Sequence, residues 1–311
     1  MNWRVKGLVQ KTLAQVPGGE QVHYLLQRRL GGLRDPQHEL ALKVEDWRLM
    51  LGYMRSVGAS IEGARLLEVG SGWYPTFPFC CFLAGAARVV SVDVSRLMKE
   101  DLTRRALDGL ESHLATIATA AGVPLDQVTE RHRGLREALR GRFDLTAASG
   151  GVLEYRAPAD ARHTGLPDAC LDVVFSNSVL EHIPADAVTE IFRESRRILC
   201  ERGLMIHEVN CGDHYAYLDK RVSQLNYLQF SQLEWDALWN NKFQYQNRLR
   251  AHEFLDLARA TGFEILLDTG KSTAERLGEL SAIKVHRQFQ RFSPEQLCIT
   301  SCDFVARKQT Q

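Results

Sequence analysis

Four short apolar runs constrain this chain more than any other feature. They are "RLLEV" (65–69), "RVVSVDV" (88–94), "CLDVVFSNS" (170–178) and "GLMIHEVN" (203–210). Each is largely apolar along its length, as expected of a strand covered on both faces. Helix-like segments lie between them at 76–84, 96–120 and 185–199. Strands alternating with helices predict an α/β protein built on a doubly wound, mostly parallel sheet. Near the C-terminus "AHEFLDLARATGFEILL" reads as helix, glycine stop and strand, and "QLCITSCDFVARK" (296–308) alternates like a final strand. Ahead of the first strand, residues 1–60 read as helices broken at "PGG" (17–19) and "GGLRDP" (31–36). Leu40, Val44, Trp47, Leu51 and Met54 recur there at helical spacing as an apolar stripe.

Composition narrows the class. The 311 residues are 45% hydrophobic and 25% charged, ample for a sizeable core. A net charge of +1 gives no bulk electrostatic case for nucleic acid or an anionic membrane. No run reaches transmembrane length, so neither a nucleic-acid partner nor a membrane span is expected. The seven cysteines show no Cys-x-x-Cys and no zinc-type spacing, which fits a reducing compartment and a cytoplasmic location. The N-terminal "MNWRVKGLVQKTLAQVPGG" is amphipathic but too interrupted for a signal peptide. It reads as a packing helix, with a surface-binding helix as the other reading.

The first strand runs into "GSGWYPTFP" (70–78), a glycine turn at the carboxyl end of a strand, where open α/β sheets bind their ligands. Gly70, Ser71 and Gly72 allow close approach to the backbone. Gly-x-Gly alone does not name the ligand; its neighbours narrow it. A pyrophosphate wants backbone N–H donors at a helix N-terminus. Here Trp73 and Tyr74 crowd that space, Pro75 has no N–H, and Glu68 would repel phosphate. A cationic ligand reverses each objection. Asp93 closes the second strand, followed by Val94, where a carboxylate can accept both hydroxyls of a ribose; its bland alternative is an N-cap near Ser95.

With these residues in place, the sequence resembles the class I S-adenosylmethionine (SAM)-dependent methyltransferases. Four segments in order carry the resemblance: "LLEVGSGWYP", "VVSVDVS", "PADARHTGLPDACLDVVFSNSVLEHIP" and "ESRRILCERGLMIHEVN". With "FLDLARATGFEILL" it covers roughly residues 50–210 and 250–308. It implies a seven-stranded Rossmann-like sheet and SAM as cofactor. It implies further that Asp160 contacts the adenine amino group with Ala161 beside it, and that Asn177 and Ser178 line the site. Tyr74 and Pro75 stand where the family's later glycine would be, which puts the path of the loop in doubt. The domain reading is a helical extension over 1–60 and a SAM-binding domain over 61–311, with insertions at 97–150 and 211–248. The second insertion is rich in aromatics and resembles segments of bacterial methyltransferases from surface-glycan and small-molecule pathways.

Methyl transfer to a hydroxyl is helped by a base. Asp213 and His214 follow the fifth strand at the start of the second, lid-like insertion. His182 follows the fourth strand in "SVLEHIP" and has a packing or capping alternative. Glu181-His182 also invites a metal reading, since some quinone O-methyltransferases of this fold carry an acid three residues earlier. Ser178 stands there, two ligands are too few, and no metal is expected. In the insertion, Trp235, Trp239, Phe243 and Tyr245 mix with Asn240, Asn241, Gln244, Gln246 and Asn247. Rings with amides suit sugar recognition. The alternative is an amphipathic helix burying Leu233, Ala237, Leu238 and Trp239.

The leading expectation is therefore SAM-dependent methyl transfer to a small hydroxylated acceptor, most readily O-methylation of a sugar or glycan precursor. N- or C-methylation is the nearest alternative. A nicotinamide-dependent oxidoreductase or epimerase and a non-catalytic interaction protein are the others, and a homo-oligomer is compatible with the sequence.

Overall fold

In the computed structural model, residues 3–13, 16, 22, 24, 35–217 and 219–309 are described. One sheet of seven strands organises them: β1 (Arg65–Val69), β2 (Arg88–Val92), β3 (Leu153–Arg156), β4 (Leu171–Asn177), β5 (Leu199–Asn210), β6 (Phe263–Asp268) and β7 (Ser301–Lys308). Their order is β3-β2-β1-β4-β5-β7-β6. The pairs β1–β2, β1–β4, β2–β3 and β4–β5 are parallel. Strand β7 runs antiparallel to both β5 and β6. Parallel neighbours put the ends of β1, β2 and β4 on one edge, where a ligand is received.

Strands β1 and β2 are buried over their last four residues, as their unbroken apolar character requires. The expected strand at 203–210 begins earlier, at Leu199, because β5 bulges against β4 at Leu171–Val173 and carries the exposed Glu201 and Arg202. Strand β3 has no apolar run to announce it. At the sheet edge its Glu154 pairs with Arg88 at 2.8 Å and with Arg156 at 2.7 Å.

On one face lies helix α1 of the sheet layer (Pro36–Ser56), started by Pro36 and by Asp35, which accepts from His38 N–H at 3.1 Å. Its stripe of Leu40, Val44, Trp47, Leu51 and Met54 is buried as the spacing predicts. It packs with α2 (Thr76–Leu83) and with helices of the first insertion: α3 (Glu100–Gly109), α4 (Leu114–Ala121) and α5 (Leu125–Ala138). That insertion is a layer of the core and meets the ligand edge only through Leu97. The expected continuous helix at 96–120 is broken after Gly109, where a Cβ would lie 2.5 Å from Leu40 Cδ2; the missing side chain lets the two segments touch. On the other face, α6 (Ala185–Ile198) and α7 (Ala251–Ala260) cover the sheet.

A third core gathers Trp3, Tyr215, Leu225, Tyr227, Trp235 and Phe289, joining a helix at Trp3–Leu13 to the second insertion and the segment before β7. Arg250, with no exposure, ties them further, donating to the carbonyls of Cys211 at 2.9 Å and Leu297 at 3.0 Å. The short helix at Gln232–Leu238 buries Trp235, whereas Leu233 is 84% exposed and Leu238 50% exposed. The expected buried side of Leu233, Ala237, Leu238 and Trp239 is thus wrong at both leucines and at Ala237, and Trp239 is only half-buried. A helix of two turns turns only one ring inward. The N-terminal helix does pack, through Trp3; the expected break at 17–19 and most of that at 31–36 lie outside the described residues. All seven cysteines are free thiols. Among the described residues no helix is long and apolar enough to cross a membrane.

Candidate active site

The ends of β1, β2 and β4 open into a cavity of about 710 Å³. Glu68, Gly70, Ser71, Gly72, Asp93, Val94, Asp160, Ala161, Asn177 and Ser178 all line it, with His182. The turn after β1 makes this possible. Gly70 (φ +84°) and Gly72 (φ +64°) are both left-handed, and Gly70 N–H donates to Val92 O at 2.8 Å. A side chain at Gly70 would strike Val179, while nothing lies within 4 Å of a Cβ at Gly72, so the turn presents open backbone to the cavity. The next helix begins behind Pro75, with no side-chain cap. Trp73, Tyr74 and Thr76 line the cavity there.

Register sets the carboxylates. Glu68 lies beside Ser91 across β1–β2, and the Ser91 hydroxyl donates to it. Burial pushes the Glu68 carboxyl up to about 8. Asp93 accepts from Gly72 N–H at 3.1 Å and from Ser95 N–H at 2.9 Å, and burial raises its pKa. It therefore both caps the turn and lines the cavity. Asp160 is held by a fork from Arg162 at 2.7–3.0 Å, which lowers its pKa.

Beyond β4 the chain makes a strained turn. Ser178 is left-handed (φ +55°), held by N–H to Glu208 O at 3.1 Å and hydroxyl to Glu208 Oε2 at 2.5 Å. His182 Nδ1 bonds the Tyr245 carbonyl at 2.6 Å, and burial lowers its pKa. The His214 ring lies 4.9 Å away, edge on, and burial takes its pKa down to about 3. His214 does not line the cavity; it backs the residue that does. Asp213 is fully buried off the cavity, accepting from Asn226 Nδ2 at 2.7 Å and Tyr215 N–H at 2.8 Å. The structure thus brings His182 and His214 together and leaves Asp213 as a fastener of the insertion.

Three of the insertion amides, Asn240, Gln246 and Asn247, are engaged within the protein, whereas the buried Gln244 Nε2 has no hydrogen-bond partner. Asn240 accepts from Trp235 Nε1 at 3.0 Å, Gln246 Nε2 donates to Gly212 O at 2.8 Å, and Asn247 Nδ2 donates to Leu180 O at 2.8 Å and Ile183 O at 2.7 Å. Trp235 is buried. For these three amides the sugar-binding reading gives way to a structural one: Asn240 and Gln246 brace the insertion on itself, and Asn247 fastens it to the turn that carries His182.

Sequence reasoning missed Glu39 and Lys43 as cavity residues. Lys43 also hydrogen-bonds Asn177. Both belong to the helix whose apolar stripe was legible; its polar face, one turn round, was the available signal.

Residues 145–207 match the family described as a methyltransferase domain. The matched residues span β3, β4 and most of β5 of the seven-stranded, mainly parallel sheet. No curated protein matches it in sequence. Among solved structures it is similar to an S-adenosylmethionine-dependent methyltransferase from Mesorhizobium loti (15% identity, 83% of this chain and 96% of that one, TM-score 0.45). Another is the PH0226 protein from Pyrococcus horikoshii OT3 (16%, 87% and 92%, TM-score 0.47). A third is magnesium protoporphyrin IX methyltransferase from Synechocystis PCC 6803 with bound SAH (12%, 86% and 83%, TM-score 0.45).

Proposed function

We propose that this protein transfers a methyl group from SAM to the hydroxyl of a small acceptor, with sugar or glycan precursors as the first class to test, in the cytoplasm. One observation carries the cofactor part. Glu68, Asp93, Asp160 and Glu39 surround a cavity to which the described residues bring two cations, Lys43 and Arg162, and the helix behind the glycine turn starts at a proline. That donor set fits a cationic nucleoside without phosphate. In this reading Asp93 holds the ribose and Asp160 the adenine amino group, while the ammonium end, on binding, draws the proton off the buried Glu68 and pairs with it. SAM supplies an activated methyl group on a sulfonium, so the chain's task is to align the acceptor, exclude water and handle the acceptor's proton. His182, on the cavity and backed by His214, is the group for that task. A hydroxyl is favoured over an amine because a free amine needs no such help.

Calorimetry with SAM and its demethylated product tests the cofactor reading. Saturable binding of both is expected; binding of neither, with saturable NAD binding instead, would replace it with the oxidoreductase reading. Incubation with methyl-labelled SAM and hydroxylated acceptors tests the second part, and label recovered only on nitrogen or carbon would move the assignment to N- or C-methylation.

A further inference from the structure

We propose that Glu181, His182 and His214 form a binding site for one divalent transition-metal ion, of the zinc or manganese type, in the wall between the cofactor cavity and the insertion. Each residue offers a ligand atom, and the three atoms lie within 4.8 Å of one another. Glu181 is 2% exposed, and neither of its carboxylate oxygens is met by a well-aligned donor, although the backbone N–H groups of Glu181 and Asn210 lie close by. His214 Nε2, 4.0 Å from Glu181 Oε1, is likewise buried and without a hydrogen-bond partner. A buried carboxylate and a buried imidazole nitrogen facing each other unsatisfied are costly unless something positive joins them.

The third ligand is prepared in the same way. With Nδ1–H donated to the Tyr245 carbonyl, His182 leaves its Nε2 lone pair for a metal, the outer-sphere arrangement usual for ligating histidines. One stretch of the insertion positions all three. Tyr245 O fixes the His182 ring, Gln246 Oε1 accepts from His214 N–H at 3.2 Å, and Asn247 N–H donates to the Glu181 carbonyl at 2.9 Å. The set is two imidazoles and a carboxylate, which suits zinc and neighbouring first-row ions better than magnesium or calcium. Metal–ligand bonds of about 2.0–2.2 Å place ligand atoms roughly 3–3.5 Å apart, so side-chain rotation has to close the gaps by up to about 2 Å. Sequence spacing presents only Glu181-His182; the third ligand arrives from the next insertion.

Because His182 also lines the cavity, an ion here lies beside the acceptor. It would acidify an acceptor hydroxyl directly and, by taking the His182 Nε2 lone pair, replace that histidine as the group that handles the acceptor's proton; this clause alone rests on the methyl-transfer reading. The test uses full-length protein stripped with chelator and titrated calorimetrically with Zn²⁺, Mn²⁺ and Mg²⁺. Co²⁺ loading is followed by visible absorption. One Zn²⁺ or Mn²⁺ per chain is expected, with Mg²⁺ much weaker. Glu181→Gln and His214→Gln should each weaken it tenfold or more and change the Co²⁺ spectrum, while His214→Gln keeps wild-type affinity for the demethylated cofactor product. Should Glu181→Gln fail to fold by circular dichroism, His214→Gln carries the test. No stoichiometric uptake of Zn²⁺, Mn²⁺ or Co²⁺, or undiminished uptake in His214→Gln, overturns the site. Metal binding without any cofactor binding would instead sink the methyl-transfer reading and leave the site standing.

Discussion

The Asp93 carboxylate accepts the Gly72 N–H at 3.1 Å, so the acid that ends β2 and the glycine turn that ends β1 are one mechanical unit. Asp93→Ala should therefore act twice, removing a ligand contact and releasing the turn. Hydrogen bonds to charged groups are worth about 1.5–3 kcal/mol each, so SAM affinity should fall by roughly ten- to a hundredfold or more. Asp93→Asn, which keeps one acceptor oxygen, should fall in between. Calorimetry of the three proteins checks the order, and equal affinities would remove Asp93 from the cofactor site.

Gly70 and Gly72 share a left-handed backbone but differ in surroundings. At Gly70 a Cβ would meet Val179 Cγ2 at 2.5 Å; at Gly72 it would meet nothing within 4 Å. Gly72→Ala should cost only the strain of a left-handed alanine, about 1–2 kcal/mol. Gly70→Ala should cost at least about 1 kcal/mol more through the clash, and Val179→Ala should recover part of it. Thermal or urea melts of the single and double variants measure both.

Stability should fall off on both sides of neutrality for different reasons. Glu68 sits near 8 in the folded chain, above an unfolded value of about 4.3, so the native state holds its proton more tightly. Its contribution is complete below the unfolded value and is lost as pH rises through about 8. His207 sits near 3, below an unfolded value of about 6.5; its contribution is complete above that value and is lost as pH falls toward 3. Melting temperatures from pH 4 to 10 should show a maximum between these limbs. Glu68→Gln should make the limb above the maximum shallower without abolishing it, because burial also raises the pKa of Glu181 and Glu208.

Asn247 reaches across from the insertion to hold Leu180 O and Ile183 O. Asn247→Ala leaves both carbonyls without this partner, at about 1–3 kcal/mol of stability. It should lower kcat far more than it raises the KM for SAM, because it loosens the turn carrying His182 without touching the residues assigned to the cofactor. Steady-state kinetics with an identified acceptor separates the two; a loss confined to the KM for SAM would contradict the clamp.

What was legible in the sequence was what burial writes locally. Strands β1, β2 and β4 are apolar because both faces are covered, and the turn after β1 shows itself by its glycines. All ten residues read as cofactor contacts lie on one cavity because they sit at strand ends, which the α/β alternation places together. Strand β3 was illegible because an edge strand needs no apolar run. The insertion's aromatics and amides were legible as a composition but not as a role. Whether Asn240 meets a sugar or Trp235 depends on contacts that only the folded chain creates. Glu181 and His214, thirty-three positions apart in the numbering, meet for the same reason.

Lys43 and Trp47 stand one helical turn apart in Pro36–Ser56, the first facing the cavity and the second fully inside the core. Anyone trimming this protein to a minimal unit at the first strand would strip one side of the cavity and bare an indole in the same cut. The shortest version worth expressing starts no later than Asp35, and protease nicks inside that helix should be suppressed in step with cofactor occupancy.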